Sequence, residues 1–238
     1  MRIFLAGASG AIGRRLMPLL IGAGHDVTGM TRSADAARDL KAAGVTPAVA
    51  DVYEADGLTR AVIAARPDIV MHQLTDLPRV FDETQVVAQY PRNARIRIEG
   101  TRNLVAAAKA AGARRFIVQS VAFAYAPGKE PYAETDPLNV ADGPRVVTVR
   151  AAADMEQQVL NSGMEAVVLR YGLFYGPGTW TETPERKPSL HIDAAAKAAL
   201  LSLTGNAGVY NIADDDGTVS IDKARKELGF DPAFRLKG

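Results

Sequence analysis

The chain is predicted to fold as an α/β domain: a doubly wound parallel sheet with helices on both faces and a small, reduced C-terminal subdomain. Three observations predict this. Short apolar runs alternate with amphipathic helical stretches over residues 1–170. A glycine-rich turn joins the first run to the first helix. Beyond residue 170 the rhythm loosens into shorter, less regular pieces that cannot form a core alone.

The elements follow in order. Residues 2–6 (RIFLA) read as a buried strand. Residues 11–23 read as a helix with Ile12, Leu16, Leu19 and Leu20 on one face and Gly24 as its stop. Strands are expected at 25–30, 46–50, 68–73, 115–120 and 165–170. The helices between them are expected at 34–43, 57–65, 85–111 and 148–162, with a Pro- and Gly-rich loop at 126–143. In the tail, 192–203 and 221–228 look helical and 208–212 a strand. The domain division is therefore 1–170 for nucleotide binding and 171–238 for a substrate subdomain packed on it and interleaved with it.

Composition narrows the function classes. Of 238 residues 47% are hydrophobic, enough for a sizeable core. The 28 basic and 27 acidic residues leave a formal charge of +1, so no global field favours nucleic acid or a membrane surface. There is no cysteine, hence no disulfide and no thiolate metal site. No apolar run is long enough to span a bilayer and the N-terminus enters a strand directly, so a cytoplasmic location is expected.

The strongest motif is Gly7-Ala8-Ser9-Gly10-Ala11-Ile12-Gly13, with the glycine spacing GxxGxxG. The turn must be sharp, its N–H groups must approach a pyrophosphate, and the positive end of the following helix must face that charge. Three spaced glycines alone are weak evidence; following a strand and opening a helix, they predict a Rossmann-type dinucleotide site. The second strand ends at Met30-Thr31-Arg32-Ser33 with no carboxylate at 29–33. An acid there would bind the ribose hydroxyls of NAD, whereas Arg32 suits a 2′-phosphate. NADP is therefore the expected cofactor, with NAD as the alternative. Asp51 and Val52 are placed at the adenine, Asp51 alternatively as a helix cap. Gln73, Leu74 and Thr75 close the fourth strand along the cofactor, and Tyr171 is a candidate for the nicotinamide wall.

The segments LAGASGAIGRRL (5–16), ADV (50–52), EGTRNLVAAAKAAGARRFIVQS (99–120), VVLRYGLFYGPGT (167–179), HIDAAAKA (191–198), GVYNIADDD (208–216) and KARKELGF (223–230) resemble an extended or atypical short-chain dehydrogenase/reductase. The resemblance is to the NAD-dependent epimerase/dehydratase kind, nearly end to end and in the family's order. It implies a small-molecule substrate such as a carbonyl, hydroxyl or sugar-type compound. It also raises a homodimer formed through helices near 85–111 and 148–162. The chain is short for the family between Trp180 and His191 and between Asp216 and Ile221.

The family's chemistry uses a Tyr-x-x-x-Lys pair on one helix face with a serine or threonine nearby. Aligned on Glu156-Gln157, the tyrosine position falls on Thr148, the lysine on Ala152, the serine on Val121 with Ser120 one residue early, and a usual asparagine on Arg97. The literal Tyr125-Ala-Pro-Gly-Lys129 contains a helix-breaking Pro-Gly and cannot be the pair. Tyr125 and Ser120 remain the catalytic candidates, Tyr125 as a substitute proton donor. Arg97, Arg150 and Trp180 are candidate substrate contacts. His72 reads as a core histidine, His191 as structural, and Asp214–Asp216 as a surface turn, so no metal site is expected. Three functions follow: an NAD(P)-dependent oxidoreductase or epimerase, a non-redox biosynthetic catalyst on the same fold, or a catalytically silent NADP sensor.

Overall fold

A computed structural model describes residues 1–78, 82–143 and 145–236, and in 83–87 the backbone alone. Residues 237–238 of the expected C-terminal subdomain lie outside it. Seven strands form one parallel sheet: β1 Arg2–Ala6, β2 Asp26–Thr31, β3 Thr46–Val49, β4 Ile69–His72, β5 Arg115–Val121, β6 Glu165–Tyr171 and, from the tail, β9 Gly208–Ile212. Their order is β3-β2-β1-β4-β5-β6-β9. The chain winds one way from β1 to β3 and the other way from β4 onward, so the direction reverses between β1 and β4. A crevice opens at such a reversal, beyond the carboxyl ends of the strands. The expected doubly wound α/β fold is thus the observed one.

The helices are α1 Ala11–Gly22, α2 Ala34–Ala42, α3 Ala55–Ala65, α4 Glu83–Arg95, α5 Thr101–Ala110, α6 Val146–Leu160, α7 Ile192–Leu201 and α8 Asp222–Leu228. One core layer joins Ile3, Leu5, Ile12, Leu16 and Leu20 to α7 and α8; the other joins Phe4, Phe116 and Val168 to α3, α5 and α6. Successive side chains of β1 alternate between these layers, as a strand buried on both faces must. The β5 and β6 strands are longest at seven residues each and buried almost throughout. No helix among the described residues is long and apolar enough to cross a membrane.

Two features were not anticipated. Leu173–Tyr175 (β7) and Ser189–His191 (β8) pair in parallel as a separate two-stranded sheet at the crevice rim. The expected long helix at 85–111 is α4 and α5 joined by a π-turn at Ile96–Gly100, where the Thr101 N–H reaches back to the Ile96 carbonyl.

His72 ends β4 fully buried. Its Nδ1 accepts the Leu74 N–H at 3.2 Å, which places the ring proton on Nε2, an atom without a partner among the described residues. Burial, with Arg97 nearby, lowers its pKa to about 3. Between that value and the ordinary histidine range the unfolded chain binds a proton that the folded one refuses. Stability should therefore fall by roughly 1.4 kcal/mol per pH unit as pH drops from about 6.5 toward 3. His72→Leu should flatten that acid limb in urea titrations; an unchanged slope would show that His72 does not set it.

Candidate functional site

The crevice is an open cleft of about 1690 Å³ lined from β1 to the rim sheet. Its nucleotide end is built by backbone. Gly7 has φ +96°, and a Cβ there would lie 2.5 Å from the Gln73 carbonyl oxygen. A Cβ on Gly13 would lie 2.3 Å from the Gly7 carbonyl oxygen, so α1 meets the turn with no room for a side chain. Gly10 is the N-cap of α1, with no side-chain cap bond and no acid in the first turn. The N–H groups at the mouth of α1 are thus not claimed by a side chain, and Ser9, Gly10, Ala11 and Ile12 line the cleft. An anion is the partner such a helix end lacks, and the residues present fit a dinucleotide pyrophosphate.

Thr31, Arg32 and Ser33 line the cleft beyond β2. The Thr31 hydroxyl accepts the Ser33 N–H at 3.2 Å, and the Ser33 hydroxyl caps α2 through the Ala36 N–H at 3.3 Å. Both are occupied in shaping the loop, which leaves the exposed Arg32 as its reaching group; Asp35 and Asp39 also border this end. Asp51 and Val52 line the next stretch. Asp51 is not the cap of α3, which is Glu54; instead its carboxylate accepts the Tyr53 N–H at 2.9 Å. Gln73, Leu74 and Thr75 follow. Among the described residues the buried Gln73 amide and the buried Tyr171 hydroxyl make no well-formed hydrogen bond, and the two side chains lie close enough to interact with each other. Burial raises the Tyr171 pKa, and the Gln73 side chain beside it draws it partly back.

At the opposite end Ser120, Val121 and Thr148 line the cleft, while Ala152 is packed behind them with Ala124 and Val149. The Thr148 Oγ1 is buried without a partner among the described residues. The Ser120 hydroxyl donates to Glu156 Oε1 at 2.6 Å. Glu156 is also clamped by Arg170 through two bonds, at 3.0 and 2.7 Å, with both side chains under a tenth exposed. One signal for this clamp was present in the letters: an arginine inside a strand that must otherwise be apolar needs an acid opposite it.

Tyr125 corrects an expectation. It does not line the cleft but borders a small neighbouring hollow. Its hydroxyl donates to Asn211 at 2.6 Å and accepts from Arg170 at 2.9 Å, and its ring stacks on Tyr132 at 5.1 Å. Burial raises its pKa. A phenol so bonded and so placed cannot hand a proton to a ligand on the floor.

Arg97 and Trp180 do line the cleft, whereas Arg150 spends its guanidinium on the Val140 and Ala141 carbonyls away from it. Arg97 projects from the π-turn, is 6% exposed, and donates to the Thr148 carbonyl at 3.1 Å. Phe123 and Arg145, which sequence reasoning did not single out, complete the wall, the guanidinium lying 4.7 Å over the ring. His191 caps α7 through the Asp193 N–H. The Asp214 carboxylate accepts from the Ser189 hydroxyl of β8, Asp215 from Arg225 of α8, and Asp216 from the Thr218 N–H within the turn.

A family model described as the NAD dependent epimerase/dehydratase family matches residues 3–219. Among curated proteins, a 3-diazoavenalumate denitrifying reductase from a Streptomyces species is 38% identical over 91% of this chain and 77% of its own length. Among solved structures, the UDP-glucose 4-epimerase of Thermotoga maritima with UDP-glucose superposes at a TM-score of 0.79 and 18% identity, covering 99% of this chain and 94% of that one. The UDP-glucose 4-epimerase of Thermus thermophilus in complex with NAD gives 0.77 and 19%, covering 99% and 95%. The chain belongs to the NAD-dependent epimerase/dehydratase family.

Proposed function

We propose that the protein is an NADPH-dependent reductase that delivers hydride to a small conjugated acceptor, of which an aromatic diazo compound is the leading case. One observation carries this reading. The cleft and its nucleotide end are intact, while alignment on Glu156-Gln157 puts Thr148 and Ala152 at the positions of the family's tyrosine and lysine, which pass a proton to a carbonyl oxygen. The acceptor must therefore take hydride without a proton from a phenol. A diazo arene meets that condition: a C–H bond forms at the ring carbon as the C–N bond breaks, and the C–N electron pair leaves with dinitrogen. The name of the 38% identical relative, a diazo-compound reductase, points the same way. Sugar-nucleotide epimerisation, the activity named for the structural neighbours, requires proton removal from a hydroxyl and finds no base at Thr148 or Ala152.

The nucleotide, when bound, supplies the hydride. The amides of 7–13 would hold it, the 31–33 loop and Asp51-Val52 would border its adenine end, and the Gln73 amide and Tyr171 hydroxyl would border its nicotinamide end. Ser120, fixed by Glu156, and the Thr148 hydroxyl face the acceptor. The apolar wall displaces water from the reacting carbon. The test is consumption of NADPH with stoichiometric dinitrogen release from an ortho-diazophenol. Tight nucleotide binding with no acceptor turnover across diazo and enone panels would overturn the reading.

The preference for NADPH rests on Arg32 and on the absence of a carboxylate at 29–33. Arg32→Asp should move the ratio of NADPH to NADH affinity toward NADH by at least about tenfold, 1.4 kcal/mol. Titration of both nucleotides measures it, and an unchanged ratio would remove Arg32 from the 2′-phosphate.

A further inference from the structure

The floor of the cleft holds a charge that the described residues leave unanswered. The Arg97 guanidinium is nine-tenths buried, and of its five donors one is used among those residues, toward the neutral Thr148 carbonyl. The buried carboxylate of Glu156 acts on it only at a distance, being held by Arg170 and Ser120. His72, also close, is kept neutral by its burial and by the Arg97 charge, and so cannot answer it. Burial pulls the Arg97 pKa down to about 10, so it remains a cation at neutral pH. Thr148, whose carbonyl Arg97 holds, has a buried Oγ1 with no partner among the described residues, and both residues line the cleft. A buried cation with spare donors, on the same stretch of cleft as an unpartnered hydroxyl, is a site for an oxyanion. Phe123, Phe174 and Trp180 bring aromatic surface to the same cleft.

We propose that Arg97 is the catalytic counter-charge of this site, holding the oxyanion of a planar conjugated acceptor, a phenolate or enolate, next to the carbon that receives hydride. This rests on the reductase reading above. A guanidinium keeps its proton at neutral pH, so it serves acceptors whose oxygen is stable as an anion. The alkoxide formed from a simple ketone or sugar is far too basic to be left in that state. With an ortho-diazophenolate the balance closes without a proton. Hydride from NADPH adds to the ring carbon, dinitrogen departs with the C–N pair, and the oxygen enters and leaves as phenolate against Arg97. The substrate class is thereby narrowed to aromatic or vinylogous acids with the ionised oxygen adjacent to the reacting carbon.

The experiment uses the NADP⁺-loaded protein and 4-hydroxycinnamate, whose phenol ionises with a change in ultraviolet absorbance. Bound to wild type, the phenol should ionise at least one pH unit below its value in solution. Arg97→Gln should abolish that shift, and Arg97→Lys should keep part of it. With an ortho-diazophenol, Arg97→Gln should lose about a hundredfold in kcat, the size expected for one oxyanion donor, with NADPH affinity and melting temperature little changed. A phenol pKa that does not move in wild type, or that moves equally in Arg97→Gln, overturns the proposal, as does a normal kcat in Arg97→Gln. If wild type shifts the phenol but turns over no diazo acceptor, the oxyanion site stands and the reductase reading fails. If Arg97→Lys restores both the shift and part of kcat while Arg97→Gln has neither, a merely structural bond to the Thr148 carbonyl is ruled out.

Discussion

Gly13→Ala is expected to cost the fold about 3 kcal/mol, at the upper end of overpacking penalties, and to weaken nucleotide binding by more than about tenfold. The added methyl would sit 2.3 Å from the Gly7 carbonyl oxygen and 2.4 Å from that of Ala8. Neither obstacle is the end of a flexible side chain that could swing aside. The Gly7 carbonyl also accepts the Gly10 N–H at 3.0 Å, so retreat would break the turn. Retreat would also displace the amides at the mouth of α1 from any pyrophosphate they hold. The two losses should thus appear together, in urea denaturation and in nucleotide calorimetry. Gly57→Ala is the control, because a Cβ there would meet nothing closer than 3.9 Å and α3 gains a better helix former. A Gly13→Ala protein as stable as wild type and with full affinity would show that close packing of α1 on the turn is not what shapes the nucleotide site.

Glu156→Gln should be the second costly change, destabilising by roughly 3–5 kcal/mol. It leaves Arg170 as a buried cation, since the Arg170 side chain is 7% exposed and Glu156 supplies the only carboxylate bonded to it among the described residues. It also weakens the acceptor that fixes the Ser120 hydroxyl, and through Arg170 it reaches Tyr125 and the Glu134 carbonyl. The damage comes from stranding one charge rather than from losing a favourable pair, because desolvation consumes much of the attraction. Glu156→Leu combined with Arg170→Met should therefore recover most of the loss. Chemical denaturation of the single and double variants decides it; a double variant no more stable than Glu156→Gln alone would mean that the pair itself stabilises the fold.

Much of the fold was legible in the letters, and the reason is periodicity. A strand buried on both faces shows as an unbroken apolar run, and β1 was readable to its last residue for that reason. The Gly7–Gly13 turn was legible because backbone crowding leaves only glycine at two of its positions. Three-residue strands such as β7 and β8 carry no period, and the rim sheet was accordingly missed. The π-turn was invisible because one extra residue in a helix changes no composition. At the site, a strand end located Gln73 near the cleft and alignment with the family pattern located Thr148 and Arg97, but neither showed which of them would lack partners. That property depends on the whole surrounding shell. Tyr125 misled because a phenol in the loop beyond a strand end has no sequence mark for its direction. The side chains that capture it, Arg170 and Asn211, come from β6 and β9, 45 and 86 residues further along.

The π-turn at Ile96–Gly100 carries a consequence of its own. An α-helix advances about 100° per residue, so a single surplus residue rotates everything beyond it by about that angle. The two halves of the rod are therefore phased differently, α4 resting on α6 while α5 rests on both α3 and α6. Arg97 sits inside the phase change itself. Loss of one residue there would re-phase the rod and swing the guanidinium off the cleft floor while every other lining side chain kept its identity. Chain length over these five positions is thus a determinant of chemistry, and a length change there could convert one specificity into another without a single substitution.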